Sequence, residues 1–305
     1  MRGGEIAILD AIGRRSKRLP ARGLELGIGD DCAIFRPRGS PEDLLLTTDM
    51  LIEDVHFRRE THPPEAVGHK ALARGLSDIA AMGGEPRCCL ISLAAGKQID
   101  RRWITRFYTG LLRLARATGT ALAGGDLARA AHTACDIVVV GAVPAGTALR
   151  RDGARSGDAI YVSGWLGASA LGLEQGRGRA WKRHLLPEPR LRLGRLLRER
   201  VKATAAMDLS DGLSLDLRRL ALASGLEAHI DPPPRFPGAS PEHALDGGED
   251  YELLFTVPAL AKVPRSVAGL PLTRIGEMRT GRAGAVYLSG RRLPARGYDH
   301  FRRLP

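Results

Sequence analysis

Many of the carboxylates in this chain stand beside glycine, serine or threonine in short motifs that adjoin apolar segments. The six motifs are, in chain order, Gly29-Asp30-Asp31, Thr47-Thr48-Asp49, Leu76-Ser77-Asp78, Gly124-Gly125-Asp126, Asp208-Leu209-Ser210-Asp211-Gly212 and Gly248-Glu249-Asp250. Small neighbours on a turn at a strand end leave room for a metal ion and a phosphate chain. Clustered carboxylates without histidine or cysteine favour Mg²⁺ or Mn²⁺ over zinc, because hard cations prefer oxygen ligands.

Each motif also has an ordinary structural explanation. Aspartate beside glycine is common in turns, and aspartate or serine often caps a helix. Asp78 lies in an apolar helical segment, where an ion pair with Arg74 one turn earlier would explain it equally well. A lone histidine such as His56 is more often structural than functional. Six such motifs in a basic chain nevertheless favour a shared carboxylate site over six unrelated turns.

Sequence signatures of other catalytic classes are absent. The chain contains no P-loop motif, no protein-kinase motif, no H-E-x-x-H and no G-x-S-x-G. The segment from Asp208 to Asp216 does not follow the spacing of an EF-hand loop. The chemistry is therefore expected to depend on the carboxylates themselves.

Composition indicates a globular protein of about two domains, since 305 residues are divided among units of ~150. Lysine and arginine number 46 and aspartate and glutamate 34, so the net charge is +12. The basic residues are spread along the chain and aromatic residues make up only 5%. We therefore do not expect a nucleic-acid partner, whereas an anionic small substrate suits the positive field.

Cysteine usage and hydropathy suggest a cytoplasmic protein. Cys32, Cys88, Cys89 and Cys135 form no C-x-x-C pair, which argues against a disulfide framework or a zinc ribbon. Charged residues interrupt the first apolar stretch, unlike a signal peptide, and no stretch has the ~18 apolar residues of a membrane helix. We expect reduced thiols and no membrane association.

Hydrophobic periodicity predicts α+β layers rather than a doubly wound sheet. Leu44–Leu46 is predicted as a strand that ends in a polar tip at Thr47-Thr48-Asp49. Further predicted elements are the helices Ala66–Met82, Trp103–Thr118 and Leu213–Ser224 and the strands Ile137–Val143, Ala159–Ser163 and Tyr251–Val257. The glycine- and arginine-rich loop after Pro144 divides the chain into an N-terminal domain, 1–145, and a C-terminal domain, 146–305.

At these residues the chain resembles the thiamine-monophosphate kinases, within the superfamily of aminoimidazole ribonucleotide synthetase. The resemblance runs in order over nearly the whole chain. It rests on Gly27-Ile28-Gly29-Asp30-Asp31-Cys32-Ala33, Thr47-Thr48-Asp49 with Val55-His56-Phe57, Lys70-Ala71-Leu72-Ala73 through Leu76-Ser77-Asp78-Ile79-Ala80-Ala81-Met82-Gly83, Gly124-Gly125-Asp126, Met207-Asp208-Leu209-Ser210-Asp211-Gly212-Leu213, Gly247-Gly248-Glu249-Asp250-Tyr251-Glu252-Leu253 and Gly297-Tyr298-Asp299-His300-Phe301.

The resemblance implies an enzyme that converts thiamine monophosphate to thiamine diphosphate with ATP and several Mg²⁺ ions. It implies a two-domain fold with an N-terminal domain of the aminoimidazole ribonucleotide synthetase type, and a homodimer whose N-terminal sheets join in a shared barrel. The acceptor is a phosphate oxygen that is already ionised at neutral pH, so direct in-line transfer needs no general base. Positioning and charge neutralisation would supply the catalysis.

The resemblance also assigns residues. The metal ligands would be Asp31, Thr47, Thr48, Asp49, Asp78, Asp126, Asp208 and Asp211. ATP would contact Tyr108, Gly125, Asp126, Arg151 and Ser210, and thiamine monophosphate would contact His56, Glu249 and Tyr298. The family commonly has threonine after Gly-Gly-Asp where this chain has Leu127, so one hydroxyl is lost near the metal site.

Several alternatives remain at this point. Selenophosphate synthetases use an N-terminal cysteine or selenocysteine with a nearby lysine, whereas the first cysteine here is Cys32, within the Asp31 motif. The hydrogenase-maturation relative ends in a cysteine, whereas this chain ends Arg302-Arg303-Leu304-Pro305. Aminoimidazole ribonucleotide synthetase fits the architecture, but His56 and the Gly-Gly-Glu-Asp-Tyr-Glu-Leu segment favour the thiamine enzyme. A basic nucleic-acid-binding protein is the alternative from another class.

Overall fold

Two β-sheets organise the computed structural model, which describes residues 5–16 and 21–301. The first sheet has the strand order β1-β2-β3-β6-β4-β5 and is antiparallel except for the β4–β5 pair. Its strands are β1 (Leu24–Leu26), β2 (Ala33–Phe35), β3 (Glu42–Ile52), β4 (Glu85–Ala95), β5 (Ala121–Arg129) and β6 (Ala134–Pro144). The helices of this part are α1 (Glu5–Ser16), α2 (Pro64–Ala81) and α3 (Arg101–Thr118).

The second sheet has the order β14-β13-β9-β12-β7-β10-β8, and β11 pairs with β12. Its strands are β7 (Ala159–Ser163), β8 (Ala205–Asp208), β9 (Glu227–Ile230), β10 (Leu253–Val257), β11 (Ser266–Val267), β12 (Leu270–Arg279), β13 (Val286–Leu288) and β14 (Arg291–Arg292). The helices are α4 (Ala168–Gln175), α5 (Gly178–Leu185), α6 (Leu191–Leu196), α7 (Leu213–Ala223) and α8 (Pro241–Asp246). The predicted α+β layering is confirmed.

Side-chain alternation gives the first sheet one buried and one open face. Leu45, Leu51, Ile137 and Val139 are buried in the core that also contains residues of α2 and α3. On the opposite side lies a row of half-buried or exposed apolar residues, which we call the open face: Leu46, Met50, Leu90, Val138 and Val140. Within the described chain, none of these five residues belongs to a hydrophobic core cluster with residues of a helix.

Helix α2 is held at close backbone crossings that require glycine. A Cβ atom on Gly68 would lie 1.9 Å from the carbonyl oxygen of Phe107 in α3, and one on Gly110 would lie 1.9 Å from that of Glu65. At the other end of α2, a Cβ on Gly194 of α6 would lie 1.9 Å from the carbonyl oxygen of Ala80. These contacts fix α2 between the first sheet and the helices of the second half.

Most predicted elements are confirmed, with small shifts at their ends. The helix predicted at Ala66–Met82 is α2, which begins at Pro64, a residue favoured in the first turn. The helix predicted at Trp103–Thr118 is α3; Asp100 caps its start and Gly119, with φ 68°, its end. The strand predicted from Tyr251 begins at Leu253, because Tyr251 adopts a positive φ of 50°.

Two expectations about the acidic motifs are wrong. Thr47-Thr48-Asp49 is not a polar tip, since it lies inside the 11-residue strand β3 and pairs with β6 throughout. Hydrogen bonds to α2 and β6 satisfy its polar side chains within the sheet. Gly124-Gly125-Asp126 is not on a turn either, because it lies within the edge strand β5. Only glycine fits at 125, where a Cβ would lie 1.9 Å from the carbonyl oxygen of Ile91.

Candidate active site

Three carboxylates converge where α2 meets the edges of both sheets. Asp31 precedes β2, Asp78 lies on α2 and Asp208 ends β8, and one oxygen of each lies within 4.8 Å of the others. Asp31 and Asp208 are buried, and Asp78 is half-buried. We call these residues the carboxylate trio; a group of this kind, with oxygen ligands only, fits a hard divalent cation.

The electrostatics of the trio show an excess of negative charge. Burial, together with Asp49 and Asp208, raises the pKa of Asp78 well above its usual value. Burial, together with Asp31, likewise raises the pKa of Asp208. Arg151 forms an ion pair with Asp31 and offsets part of this repulsion. A bound cation would relieve the remainder, so the donor set and its charge both fit Mg²⁺.

Neighbouring polar groups position the trio. The Thr47 hydroxyl donates a 2.5 Å hydrogen bond to Asp78, and the Ser77 hydroxyl donates one of 2.7 Å to Asp208. The backbone N–H of Arg151 donates to the Asp30 carboxylate at 3.0 Å. Burial and the adjacent Asp31 raise the pKa of Asp30 to about 7. Hydroxyl donors therefore orient Asp78 and Asp208, and the Arg151 guanidinium orients Asp31, before any ligand enters.

A cavity of about 310 Å³ opens beside the trio and contains most of the predicted site residues. Arg74 also lines this main cavity and donates a 3.0 Å hydrogen bond to Asp49. The alternative of an ion pair between Arg74 and Asp78 is therefore wrong, since Arg74 pairs with Asp49 and Asp78 accepts its hydrogen bond from Thr47. The predicted residues that line the main cavity are Asp49, His56, Asp78, Asp208, Ser210, Asp211, Glu249 and Tyr298.

Glu249 is held as a charged group with one oxygen unengaged. It has a positive φ of 63°, an unfavourable conformation for a residue with a Cβ, directly after Gly247-Gly248. Lys70 on α2 donates a 2.7 Å hydrogen bond to its Oε2, while Oε1 is buried with no hydrogen-bond partner in the described chain. Burial would raise the pKa of Glu249, but Lys70, His184 and Arg74 lower it to about 2.

A second cavity of about 530 Å³ adjoins the first, and His56 and Glu249 line both. This side cavity is rich in rings: Phe57, His62, Trp181 and His184 line it. Trp181 stacks on His184 with a centroid distance of 5.0 Å. Burial, with Lys70 nearby, lowers the pKa of His62 to about 4 and that of His184 to about 3. Both rings are therefore neutral at pH 7.

His56 and the C-terminal segment form one side of the main cavity. The backbone N–H of Ile52 donates to Nδ1 of His56 at 3.0 Å, so Nε2 carries the proton of the neutral ring. Burial and Arg74 lower the pKa of His56 to about 4. The His300 ring lies 5.2 Å from His56 and 4.8 Å from Tyr298, whose N–H donates to the carbonyl of Asp211.

Four predicted residues neither line the main cavity nor belong to the carboxylate trio and its hydrogen-bond partners. Thr48 donates a 2.7 Å hydrogen bond to Asp136, and β-sheet register places both on the side of the open face. Gly125 and Asp126 lie exposed on β5, where Asp126 pairs with Ser92 and Ser92 pairs with Asp136. Tyr108 packs against the first core beside Phe107. The predicted roles of these four residues stay predictions.

The sequence reasoning missed several residues of this region, above all Lys70 and the side-cavity rings. Lys70, Arg74 and Asp78 are spaced four residues apart and so share one face of α2. Three charges in a row on an otherwise apolar helix were the signal that could have revealed Lys70. The rings of the side cavity gave no comparable signal, because His62 lies before α2 whereas Trp181 and His184 lie on α5.

Comparison with known proteins places this geometry in a family. Residues 29–146 match the family described as AIR synthase related protein, N-terminal domain. The thiamine-monophosphate kinase of Escherichia coli is 38% identical, with 94% of each chain covered. That of Bacillus subtilis is 35% identical over 92% of this chain and 94% of the relative. The chain belongs to the thiamine-monophosphate kinase family.

Solved structures agree with this assignment. A structure described as "AaThiL complexed with AMPPCP and TMP" has a TM-score of 0.86 and 35% identity and covers 99% of both chains. The two-sheet fold is thus shared with a thiamine-monophosphate kinase family member over the whole chain. No helix in the described ranges, 5–16 and 21–301, is both long and apolar enough to cross a membrane.

Proposed function

We propose that this protein transfers a phosphoryl group from ATP to thiamine monophosphate and releases thiamine diphosphate and ADP. The observation that carries the proposal is the carboxylate trio beside a cavity that Glu249 and His56 also line. The curated relatives bear the name of this activity. The related structure was solved with AMPPCP and TMP, a pair of ligands that matches a donor and an acceptor.

Mg²⁺ is the cation that suits the trio, with Asp31, Asp78 and Asp208 as ligands and with Thr47, Asp49 and Asp211 nearby. When bound, it would neutralise phosphate oxygens and let two anions approach, since two unit charges ~4 Å apart repel by about 4 kcal/mol at an effective dielectric near 20. Thr48 and Asp126 lie toward the other face of the sheet, so as ligands they would serve a separate cation.

The residues of the chain would hold the two substrates for direct in-line transfer. Arg151 and Ser210 would contact the ATP phosphates; Gly125 and Asp126 would contact ATP from the open-face side, and Tyr108 is the more distant candidate. Glu249, ionised and with Oε1 unengaged, suits the cationic ring of thiamine monophosphate, and the rings of the side cavity suit its flat parts. His56 Nε2 and Tyr298 would flank the same substrate.

A homodimer is part of the proposal. Met50 and Leu90 on the open face are 53% and 39% exposed. Large apolar residues that share one sheet face mark an interaction surface. A second copy that covers this face would also bring protein close to Thr48, Gly125 and Asp126.

The test is product analysis of the purified protein with ATP, Mg²⁺ and thiamine monophosphate, read by mass spectrometry and phosphorus NMR. We expect thiamine diphosphate and ADP in equal amounts, and neither product in EDTA. Asp208→Asn should abolish the product, whereas Asp231→Asn, at an exposed position, should leave it unchanged. ADP without thiamine diphosphate would contradict the acceptor, and salt-sensitive nucleic-acid retention without ATP binding would contradict the whole proposal.

A further inference from the structure

A cavity of about 850 Å³, which we call the large cavity, lies away from the carboxylate trio. It is bounded by α5, by the segment from Leu186 to Leu193 and by the turn between β11 and β12. None of its lining residues lines the main cavity or the side cavity. Nothing in the proposed transfer reaction uses it.

Helix α5 separates this cavity from the side cavity. Arg179, Lys182 and Arg183 follow the helical repeat on one face and line the large cavity. Trp181 and His184 lie on the other face and line the side cavity. The two cavities are therefore distinct sites on opposite sides of one helix.

Positive charge dominates the large cavity. One carboxylate, Glu188, lines it against five cations: Arg179, Lys182, Arg183, Arg190 and Arg192. The side chains of Arg179, Lys182 and Arg192 have no ion-pair or hydrogen-bond partner in residues 5–16 and 21–301. Unpaired cations that converge on one concave surface attract and hold anions.

Two of the arginines, Arg183 and Arg190, are held in place by a buried carboxylate. Glu252 is fully buried and accepts hydrogen bonds from Arg183 at 2.6 Å and from Arg190 Nε at 2.9 Å. These guanidinium groups are thus prepositioned, with part of their edge facing the cavity. A prepositioned donor loses less conformational entropy when a ligand binds.

A solvent-exposed carboxylate takes the place that an anionic ligand would occupy. Oε2 of Glu188 lies 3.0 Å from Nη1 of Arg190 and 3.9 Å from Nη1 of Arg183. The Glu188 side chain is 71% exposed, so water screens its attraction to the two arginines. A phosphate group could replace it at small cost.

The cavity also offers flat apolar surface. Trp165 is 46% exposed and Leu186 39% exposed, and the half-buried Phe236 lines the same wall. We propose that this cavity is a second ligand site, which binds a small molecule that carries a phosphate or diphosphate group and a flat ring. Arg179, Lys182 and Arg192 bind the phosphates, and Trp165 with Phe236 contacts the ring.

Two sources supply this chemistry, namely nucleotides and thiamine phosphates. The test measures binding of ADP, thiamine diphosphate and inorganic pyrophosphate by calorimetry in EDTA. EDTA removes the divalent cation through which the carboxylate trio would hold phosphates, and the variants below separate binding in the large cavity from binding in the main cavity. Tighter binding of ADP would identify a nucleotide as the ligand, and tighter binding of thiamine diphosphate would identify a thiamine phosphate. Because no turnover is measured, the result is independent of the proposed function.

Charge reversal locates the site. Arg179→Glu with Lys182→Glu should weaken all three probes about tenfold or more, since charged hydrogen bonds to phosphate are lost. Arg291→Glu with Arg292→Glu, on exposed β14, makes the same change in net charge and should leave binding unchanged. Trp165→Leu should weaken ADP and thiamine diphosphate but not pyrophosphate.

Three results would overturn the proposal. The first is that no probe binds in EDTA, and the second is that the charge-reversed variant keeps the parental affinity. The third is that the β14 control loses as much affinity as the charge-reversed variant, which would mean nonspecific attraction. Circular dichroism and thermal unfolding check the fold of each variant. If the double reversal does not fold, Lys182→Gln with Arg192→Gln serves instead, and parental affinity there would equally overturn the proposal.

Discussion

Lys70 and Glu249, which are 179 residues apart, form a 2.7 Å hydrogen-bonded ion pair between α2 and the segment before β10. The Lys70 side chain is only 1% exposed, so this contact is a buried charge pair that joins the two halves of the chain. Burial lowers the pKa of Lys70, and Glu249 counteracts that shift. The pair fixes the Glu249 carboxylate beside both cavities.

We expect Lys70→Met to lower the free energy of unfolding by about 3–5 kcal/mol, because it leaves Glu249 as an uncompensated buried charge. Urea denaturation measures the loss. Lys70→Met combined with Glu249→Gln should recover much of it, and Lys97→Met, at an exposed position, should cost little. A cost below about 1 kcal/mol for Lys70→Met would show that water reaches the pair.

The carboxylate trio is expected to lower the stability of the metal-free protein and to bind Mg²⁺. In EDTA at pH 8, Asp208→Asn should raise the free energy of unfolding by about 1 kcal/mol or more, since one unit of pKa shift is worth ~1.4 kcal/mol. The same variant should lose the thermal stabilisation that Mg²⁺ gives the parent. Asp231→Asn is the control for both readouts. Undiminished Mg²⁺ stabilisation in Asp208→Asn would exclude Asp208 as a ligand.

His184 should make stability depend on pH. Its pKa is about 3 in the folded protein against 6.5 for a free histidine. The unfolded chain therefore binds the proton first, and stability is lost as pH falls from about 6.5 toward 3. His184→Gln should reduce the slope by up to ~1.4 kcal/mol per pH unit. His132→Gln, at an exposed position, should leave the slope as it is. Equal slopes in parent and His184→Gln would contradict a neutral, buried ring.

The open face predicts the oligomeric state. Leu90→Asp should weaken the proposed homodimer about 30-fold or more, because loss of a central apolar contact costs ~2 kcal/mol. Sedimentation velocity over a concentration series measures the change. Leu260→Asp, at a position 96% exposed and off this face, is the control. A parent protein that is monomeric throughout the series would remove the dimer from the proposal.

Gly68→Ala should destabilise the crossing of α2 and α3 by about 1–3 kcal/mol or more, because the new Cβ overlaps the Phe107 carbonyl oxygen. Gly13→Ala provides the matched helical control. A Cβ at that position in α1 meets no atom closer than 3.9 Å, and alanine favours helix by up to ~1 kcal/mol. The two substitutions should therefore shift the unfolding midpoint in opposite directions.

Local periodicity was enough to predict α2, α3, α7 and β7, because their apolar repeats and glycine ends are encoded within each segment. It failed at Thr47-Thr48-Asp49, where the three polar residues were predicted to end a strand. Their partners, Asp78, Asp136 and Arg74, come from elsewhere in the chain and keep β3 extended. The domain boundary at 145/146 stays a prediction, although the first sheet ends at Pro144 and the next strand begins at Ala159.

The acidic motifs identified every carboxylate that lines the main cavity. They could not separate Asp126 from Asp208, because sheet register, not motif, decides which face a side chain occupies. The side cavity was not predicted from the sequence for a similar reason. Its rings come from the loop before α2 and from α5, and only tertiary packing brings His62 within 3.1 Å of His184.

The glycine crossings of α2 have a consequence for how substrates reach the cavities. Because no space is left between α2 and either α3 or α6, α2 cannot slide. The positions of Lys70, Arg74 and Asp78 along the helix are therefore fixed relative to the cavities. Entry and exit must then depend on the segments that contain His56 and Tyr298, which flank the main cavity from opposite ends of the chain. Changes in substrate preference can accumulate in those two segments while the distances along α2 stay constant.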